Sequence, residues 1–338
     1  MENMALLEVR SLTVRIKQNN KLLQRASMGR NFQYPEAVRG IDFDINPGEI
    51  AALAGESGGG KTLTGLSILQ LLPTAVEIGN GSIMFDSVSL TSLAEDELYR
   101  IRGKSISMIF QEPRQSLNPL HRIGRQIIEA LELHGEKDRE TSRRAALEML
   151  ASMGFSDPDS VFRAYPHQLS PGMCQRAMIA IASICRPKLL IADEPTSSLD
   201  TATGEQVLAL LKKMNRDFNT AILLITHDLP VIRHFCTRIM VMYAGRIIEA
   251  GPTETIFAQP AHPYTQALIK ALPGPEQKGK PLPDLDGRSP SIEEQMQGCP
   301  FAQRCPVAQS RCHTAPPQQS RPGNEHLVYC HHAEAANA

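Results

Sequence analysis

No stretch of this chain approaches the ~18–20 consecutive apolar residues that span a bilayer, and the opening "MENMALLEVR" is not a charged-then-apolar leader. A soluble protein that stays in a reducing compartment is expected, with any membrane association running through partners. Charge of one sign is lacking too. The 35 basic residues face 36 acidic ones, for a formal charge of −1, which removes the global electrostatic case for nucleic acid or an anionic membrane surface. No motif occurs twice, so a tandem pair of like domains is not expected. What is present is a 42% apolar fraction. That is enough for a proper core and too much for wholesale disorder. The 338 residues suit one large domain or two ordinary ones.

Along the chain, "ALLEVRSLTVRI" (5–16) alternates and reads as a strand, and residues 17–33 read as an exposed polar loop. Two further strands flank the turn Asn46-Pro47-Gly48 within 37–55. A glycine-rich loop then enters "KTLTGLSILQLL" (61–72), a helical pattern stopped by Pro73. "GSIMFD" (81–86) and "ISMIFQ" (106–111) read as short strands, and 122–153 as helix. A helix is expected from about Ser170 to just before Pro187. "KLLIADEP" (188–195) and "AILLITHD" (221–228) are apolar runs ending in polar residues, the pattern of strands in the middle of a parallel sheet. "EQVLALLKKMNRDF" (205–218) is an amphipathic helix, and "RIMVMYAGRIIEAG" (238–251) a hairpin turning at Ala244-Gly245. From about 273 the composition shifts to Pro, Gly, Gln and Cys with little periodicity. A main domain of 1–272 and a C-terminal region of 273–338 are therefore expected.

"GESGGGKT" (Gly55, Glu56, Ser57, Gly58, Gly59, Gly60, Lys61, Thr62) fits G-x-x-x-x-G-K-[ST] between an apolar strand and a helix. Glycines let backbone N–H groups approach phosphate, and the helix N-terminus adds partial positive charge. Lys61 would reach the β- and γ-phosphates of ATP, and the Thr62 hydroxyl would ligate Mg²⁺. At the end of "LLIADEP", Asp193 suits Mg²⁺ through water, and Glu194 suits a general base that polarises the attacking water. An acidic strand–loop junction is the bland alternative. His227 in "ITHD" emerges at a strand's C-terminal edge, where ligands bind in open α/β folds. It reads as a γ-phosphate sensor, against an ordinary structural histidine. Gln111 follows the same logic, near Mg²⁺ and the attacking water.

The order phosphate loop, "FQEP" (110–113), "LSPGMCQR" (169–176), "LLIADEP", "SSLD" (197–200), "ITHD" resembles the nucleotide-binding subunit of ABC transporters over residues 5 to about 255. The resemblance implies an α/β, P-loop NTPase fold: a RecA-like core, an antiparallel β subdomain and an inserted α-helical subdomain of about 112–186 that carries the signature. It also implies a head-to-tail pair of such subunits sandwiching two ATP molecules. Ser170, Gly172 and Asp200 of one subunit would then complete a site built on the other's phosphate loop. An aromatic upstream of the loop usually stacks on adenine. Tyr34 matches best, with Phe32 as fallback. "FQEPRQSLNP" (110–119), "HPYTQALIKALP" (262–273) and the cysteine tail resemble the peptide and nickel importer branch. That branch implies a related ATPase partner, two permease subunits, an external substrate-binding protein, and a peripheral place on the cytoplasmic face of the membrane. Nickel is the alternative cargo to peptide. A soluble ABC-type regulator and a signature-impaired structural subunit are the alternatives of another class.

The signature departs from Leu-Ser-Gly-Gly: it reads Leu169-Ser170-Pro171-Gly172. Ser170 is expected to be the N-cap of the next helix with Pro171 at its first position, where proline's missing N–H has no helical partner anyway. One amide is lost towards the partner's phosphate. Cys174, in place of the usual basic residue, is expected on the helix surface.

Four of the seven cysteines, Cys299, Cys305, Cys312 and Cys330, crowd the last 40 residues. They sit among Pro, Gln and Arg, where no core would need them, and the compartment disfavours disulfides. Four thiolates suit Zn²⁺ or an iron–sulfur cluster, though no tight C-x₂₋₄-C pair begins the set. The resemblance to the peptide-importer branch implies a [4Fe–4S] cluster tying together an otherwise coreless tail. Free thiols are the alternative, and His313, His326, His331 and His332 are substitute ligands.

Overall fold

The computed structural model describes residues 5–17, 34–136, 138–272, 287–294, 296–323 and 325–334. The loop 17–33 and its Phe32 lie almost wholly outside them. The strands run in chain order as β1 (Leu7–Ile16), β2 (Glu36–Ile45), β3 (Ile50–Ala54), β4 (Val76–Phe85), β5 (Val88–Ser89), β6 (Ile106–Ile109), β7 (Leu189–Asp193), β8 (Ala221–Thr226), β9 (Arg238–Tyr243), β10 (Arg246–Pro252), β11 (Gln319–Gly323) and β12 (His326–Tyr329). The chain divides into two compact units. One holds residues 45–50 and 92–225, the other 5–44, 51–91 and the described residues from 226 onward.

The second unit contains a four-stranded sheet in the order β2-β1-β4-β5. β1 and β4 are antiparallel, with Leu7 opposite Phe85 and Ile16 opposite Val76. The register slips between Arg10 and Thr13, and Leu7, Val9, Leu12 and Val14 are all buried. A bulge resets the phase so that both halves of the strand turn the same apolar face inward. In the same unit β3 runs parallel to β9, with Ala51 opposite Arg238. β9 and β10 form the expected hairpin, turning on Ala244 and Gly245 at φ 45° and 82°, the doubly left-handed turn that matches strand twist. The helix after the phosphate loop is Lys61–Ile68. It ends well before Pro73, because Gln70 turns left-handed at φ 51°.

The tail is not coreless. β12 pairs antiparallel with β10, Glu249 opposite Val328, and β11 pairs with β12. Phe301, Cys312, Val328 and Cys330 are buried, and Val328, Cys330 and Ala333 pack as one cluster. Two of the four thiols therefore do sit in apolar packing, contrary to the expectation from composition.

In the first unit β6, β7 and β8 are parallel, with Ile106 opposite Leu189 and Leu189 opposite Ala221. Every residue of the three is buried, as their largely apolar runs require, and Ser107, Asp193 and Thr226 are buried with them. The helices Ile123–Leu133, Arg139–Ser152, Pro158–Arg163 and Pro171–Ser183 lie between β6 and β7 in sequence. The single helix expected over 122–153 is two. Gly135 turns at φ 108°, and Asp138 caps a new start by accepting from Thr141 N at 2.7 Å.

Candidate nucleotide site

Within the second unit the phosphate loop joins the buried β3 to the Lys61–Ile68 helix. Gly60 stands at φ 95°, and a Cβ there would meet Ala37 O at 2.6 Å. Lys61 is buried and folded back over its own loop, its Nζ donating to Gly55 O at 2.7 Å and Glu56 O at 2.9 Å. Gly59 N also donates to Glu56 O, at 3.2 Å. β8 ends at Thr226. Asp228 N then donates to Thr226 Oγ1 at 3.1 Å, and Asp228 caps the Leu229–Phe235 helix through Val231 N at 3.2 Å. Those bonds fix the corner on which exposed His227 sits. His227, Gly55, Glu56, Ser57, Leu229 and Leu268 line one cleft, so the loop and the expected sensor come together. Thr62 is exposed at the helix start. Tyr34 lies under the Arg15 guanidinium, 5.2 Å from ring centre to Cζ.

Within the first unit Asp193 closes β7 and is buried. Glu194 follows at φ 47°, its N–H donating to Ile225 O at 2.8 Å and its carbonyl accepting from Ser197 Oγ at 3.1 Å. Gln111 lies two residues past the end of β6 and is exposed, not at the strand end as expected. Asp200 caps the Thr201–Phe218 helix, accepting from Thr203 N at 3.0 Å and Thr203 Oγ1 at 2.7 Å. Those two bonds, the side-chain one first, hold its carboxyl below the ordinary value.

The signature turn forms as its residue types require. Ser170 has extended φ and ψ of −68° and 162°, its Oγ accepts from Met173 N at 3.3 Å, and Pro171 opens the helix. The hydroxyl keeps its own hydrogen to donate. Arg114 of the "FQEPR" segment donates to Leu169 O at 3.2 Å, a support for the signature that the sequence pattern did not reveal. The surface placement of Cys174 is overturned. It is fully buried, with its Sγ 3.4 Å from Pro166 O. Positions 174, 177 and 178 share one buried helix face, so the thiol replaces a basic residue as packing. Burial raises its pKa.

Among the described residues, no group of three or more His, Cys, Asp or Glu is placed to hold a metal ion. Neither the cluster nor the zinc site expected of the tail finds support in ligand placement. The four tail thiols do act on one another electrostatically in every pairing. Burial pushes the Cys299 thiol up to about 11, and the other three thiols push the same way. Of the substitute ligands, His326 Nε2 is 2.8 Å from Glu249 Oε1, and His331 Nε2 is 3.0 Å from Ala315 O. Among the described residues no helix is long and apolar enough to cross a membrane.

The family model described as ABC transporter matches residues 38–197. That of the oligopeptide/dipeptide transporter C-terminal region matches residues 248–312. The oligopeptide transport ATP-binding protein AppD of Bacillus subtilis (strain 168) is 46% identical over 282 residues, 83% of this chain and 86% of AppD. The oligopeptide transport ATP-binding protein OppD of Escherichia coli (strain K12) is 39% identical over 325 residues, 95% of this chain and 96% of OppD. The dimeric, post-hydrolysis structure of the ATP-binding cassette MJ0796 bound to ADP and Pi superposes with a TM-score of 0.63 at 27% identity, covering 73% of this chain and 98% of that one.

Proposed function

Because the chain belongs to the ATP-binding subunits of ABC transporters, with the C-terminal region of the oligopeptide/dipeptide branch, we propose that it hydrolyses ATP to drive peptide import. It would do so from the cytoplasmic face of the membrane, through two permease subunits and an external binding protein. The observation that carries this reading is the phosphate loop, strand to helix, with Lys61 buried over its own carbonyls. The residue roles follow. The loop amides from Gly55 to Thr62 and the Lys61 ammonium bind the phosphates. Thr62, Asp193 and Gln111 supply the hard oxygen donors that Mg²⁺ takes, and that ion neutralises phosphate charge when bound. Glu194 accepts the proton of the attacking water, His227 senses the γ-phosphate, and Tyr34 stacks on adenine. Ser170, Gly172 and Asp200 act on ATP held by a partner ATPase, which we infer to be a related chain in a heterodimer.

Lys61→Ala tests this. ATP affinity falls by about tenfold or more, since the Lys61 ammonium is lost from the β- and γ-phosphates. Peptide uptake by the assembled complex falls with it. Unchanged ATP binding would sink the reading. For the tail, the finer reading is a [4Fe–4S] cluster on Cys299, Cys305, Cys312 and Cys330. Anaerobic protein with about four irons per chain and a broad absorbance supports it; colourless, iron-free protein refutes it.

A further inference from the structure

One residue of the phosphate loop carries a formal negative charge, and the tail holds it. Glu56 is the second residue of "GESGGGKT". A carboxylate beside a site meant for phosphates is unfavourable unless something neutralises or averts it. Arg304, from the cysteine-bearing tail, does so. Its Nη1 lies 2.9 Å from Glu56 Oε2 and 3.2 Å from Oε1. The Arg304 side chain is only 7% exposed and that of Glu56 28%, so this is a largely desolvated pair. Ser289 Oγ also hydrogen-bonds Glu56 Oε2. Arg304 Nη1 donates further to Ser289 Oγ at 3.2 Å and Tyr243 Oη at 3.3 Å.

The grip extends to the backbone. Glu56 N donates to Tyr264 Oη at 3.1 Å. Tyr264 is buried, stands 4.6 Å from the Tyr243 ring, and both tyrosines meet the Phe301 ring edge-on at 5.4 Å and 5.3 Å. Phe301 lies three residues before Arg304, so one short turn of tail supplies both the aromatic wedge and the cation. Burial alone would lower the arginine's pKa, but Glu56 and Tyr243 together hold it above the ordinary value.

We propose that Arg304 is a positioning residue of the nucleotide site. It turns the Glu56 carboxylate onto the tail and away from the phosphates, so that ATP affinity depends on a docked C-terminal region. This rests on the loop binding ATP. The Lys61→Ala control separates the two claims, since loss of that premise shows there and not at position 304.

The test is ATP titration of the full-length chain carrying Arg304→Met, Glu56→Gln, or both. Arg304→Met leaves the carboxylate uncompensated, and ATP affinity falls by about tenfold. Adding Glu56→Gln removes the offending charge and recovers most of that loss. In the assembled complex the single change raises KM for ATP far more than it lowers kcat. A simple loss of tail packing would not be rescued by neutralising Glu56. Affinity of Arg304→Met within about twofold of wild type, or a double variant as weak as the single, overturns the proposal. Should Arg304→Met not fold, Ser289→Ala, alone and with Glu56→Gln, carries the same comparison with a drop of about threefold.

Discussion

The N–H of Glu194 donates to the carbonyl of Ile225 at 2.8 Å while Glu194 itself stands at φ 47°. A residue with a Cβ costs roughly 1 kcal/mol there relative to glycine. It persists because the surrounding bonds over-determine it: β8 holds its amide, and Ser197 N and Oγ hold its carbonyl at 3.3 Å and 3.1 Å. Strain stored at the proposed base predicts a trade-off. Glu194→Gly raises stability by about 1 kcal/mol in thermal unfolding while turnover falls about 10²–10⁴-fold. Glu194→Gln keeps the strain and ATP binding and loses turnover alike. A Gln variant hydrolysing near the wild-type rate removes Glu194 from the role of base.

The signature proline gives a second expectation. Pro171 sits at the first helical position behind the Ser170 cap, so Pro171→Gly lowers stability by about 0.5–1 kcal/mol. It also restores an amide towards the partner's phosphate. The rate of the assembled complex rises by roughly fivefold if that contact contributes about 1 kcal/mol. An unchanged rate means the position makes no phosphate contact. The next residue has no such latitude. A Cβ on Gly172 would stand 2.5 Å from Thr203 Cγ2, so Gly172→Ala pushes the signature off the Asp200-capped helix and slows turnover.

The strand–loop–helix of the phosphate loop and the buried parallel strands were legible because their parts are local. A loop between an apolar strand and a helix, and apolar runs such as β7, which ends in Asp193, and β8, which ends one residue before His227, need only neighbours in sequence. The breaks were harder. Gly135 and Asp138 split one periodic pattern into two helices that share amphipathic spacing. The burial of Cys174 is carried by the spacing 174, 177, 178, a helical period that outweighs the chemical type usual at that position. The tail was opaque for a physical reason. "HLVY" and "QSRPG" are too short to show alternation, and the Glu56–Arg304 pair spans 248 residues, a separation no pattern of spacing reports.

Reactivity of the tail thiols provides a third measurement. Burial and three neighbouring thiols hold Cys299 up to about 11, and only the thiolate attacks an alkylating reagent. In metal-free chain, Cys299 therefore resists iodoacetamide at pH 8 and reacts only as the pH climbs towards 11, read by mass spectrometry of native protein. Rapid alkylation at pH 8 would mean that the tail does not bury this thiol as described.

Acid sensitivity follows from His262. Its Nδ1 accepts from Tyr264 N at 3.0 Å, capping the Pro263–Lys270 helix, which places the proton of the neutral ring on Nε2. That nitrogen is buried with no hydrogen-bond partner among the described residues, and the ring stands 5.9 Å from that of Phe301. Burial pushes the group down to about 4, against a weaker opposing pull from Glu249. The folded state thus binds a proton less readily than the unfolded chain at its ordinary value near 6.5. Above pH 6.5 both states are neutral and the residue contributes no pH dependence. Between 6.5 and 4 the unfolded state takes the proton first, so stability falls as the pH falls. The loss is about 2 kcal/mol by pH 5 and about 3 kcal/mol by pH 4. His262→Asn keeps a capping acceptor and removes the titration. Its unfolding free energy, followed by denaturant titration from pH 7.5 to 4, declines less steeply than that of the wild type by these amounts. Parallel curves would mean that His262 titrates alike in the folded and unfolded chain, so that its burial does not hold it down.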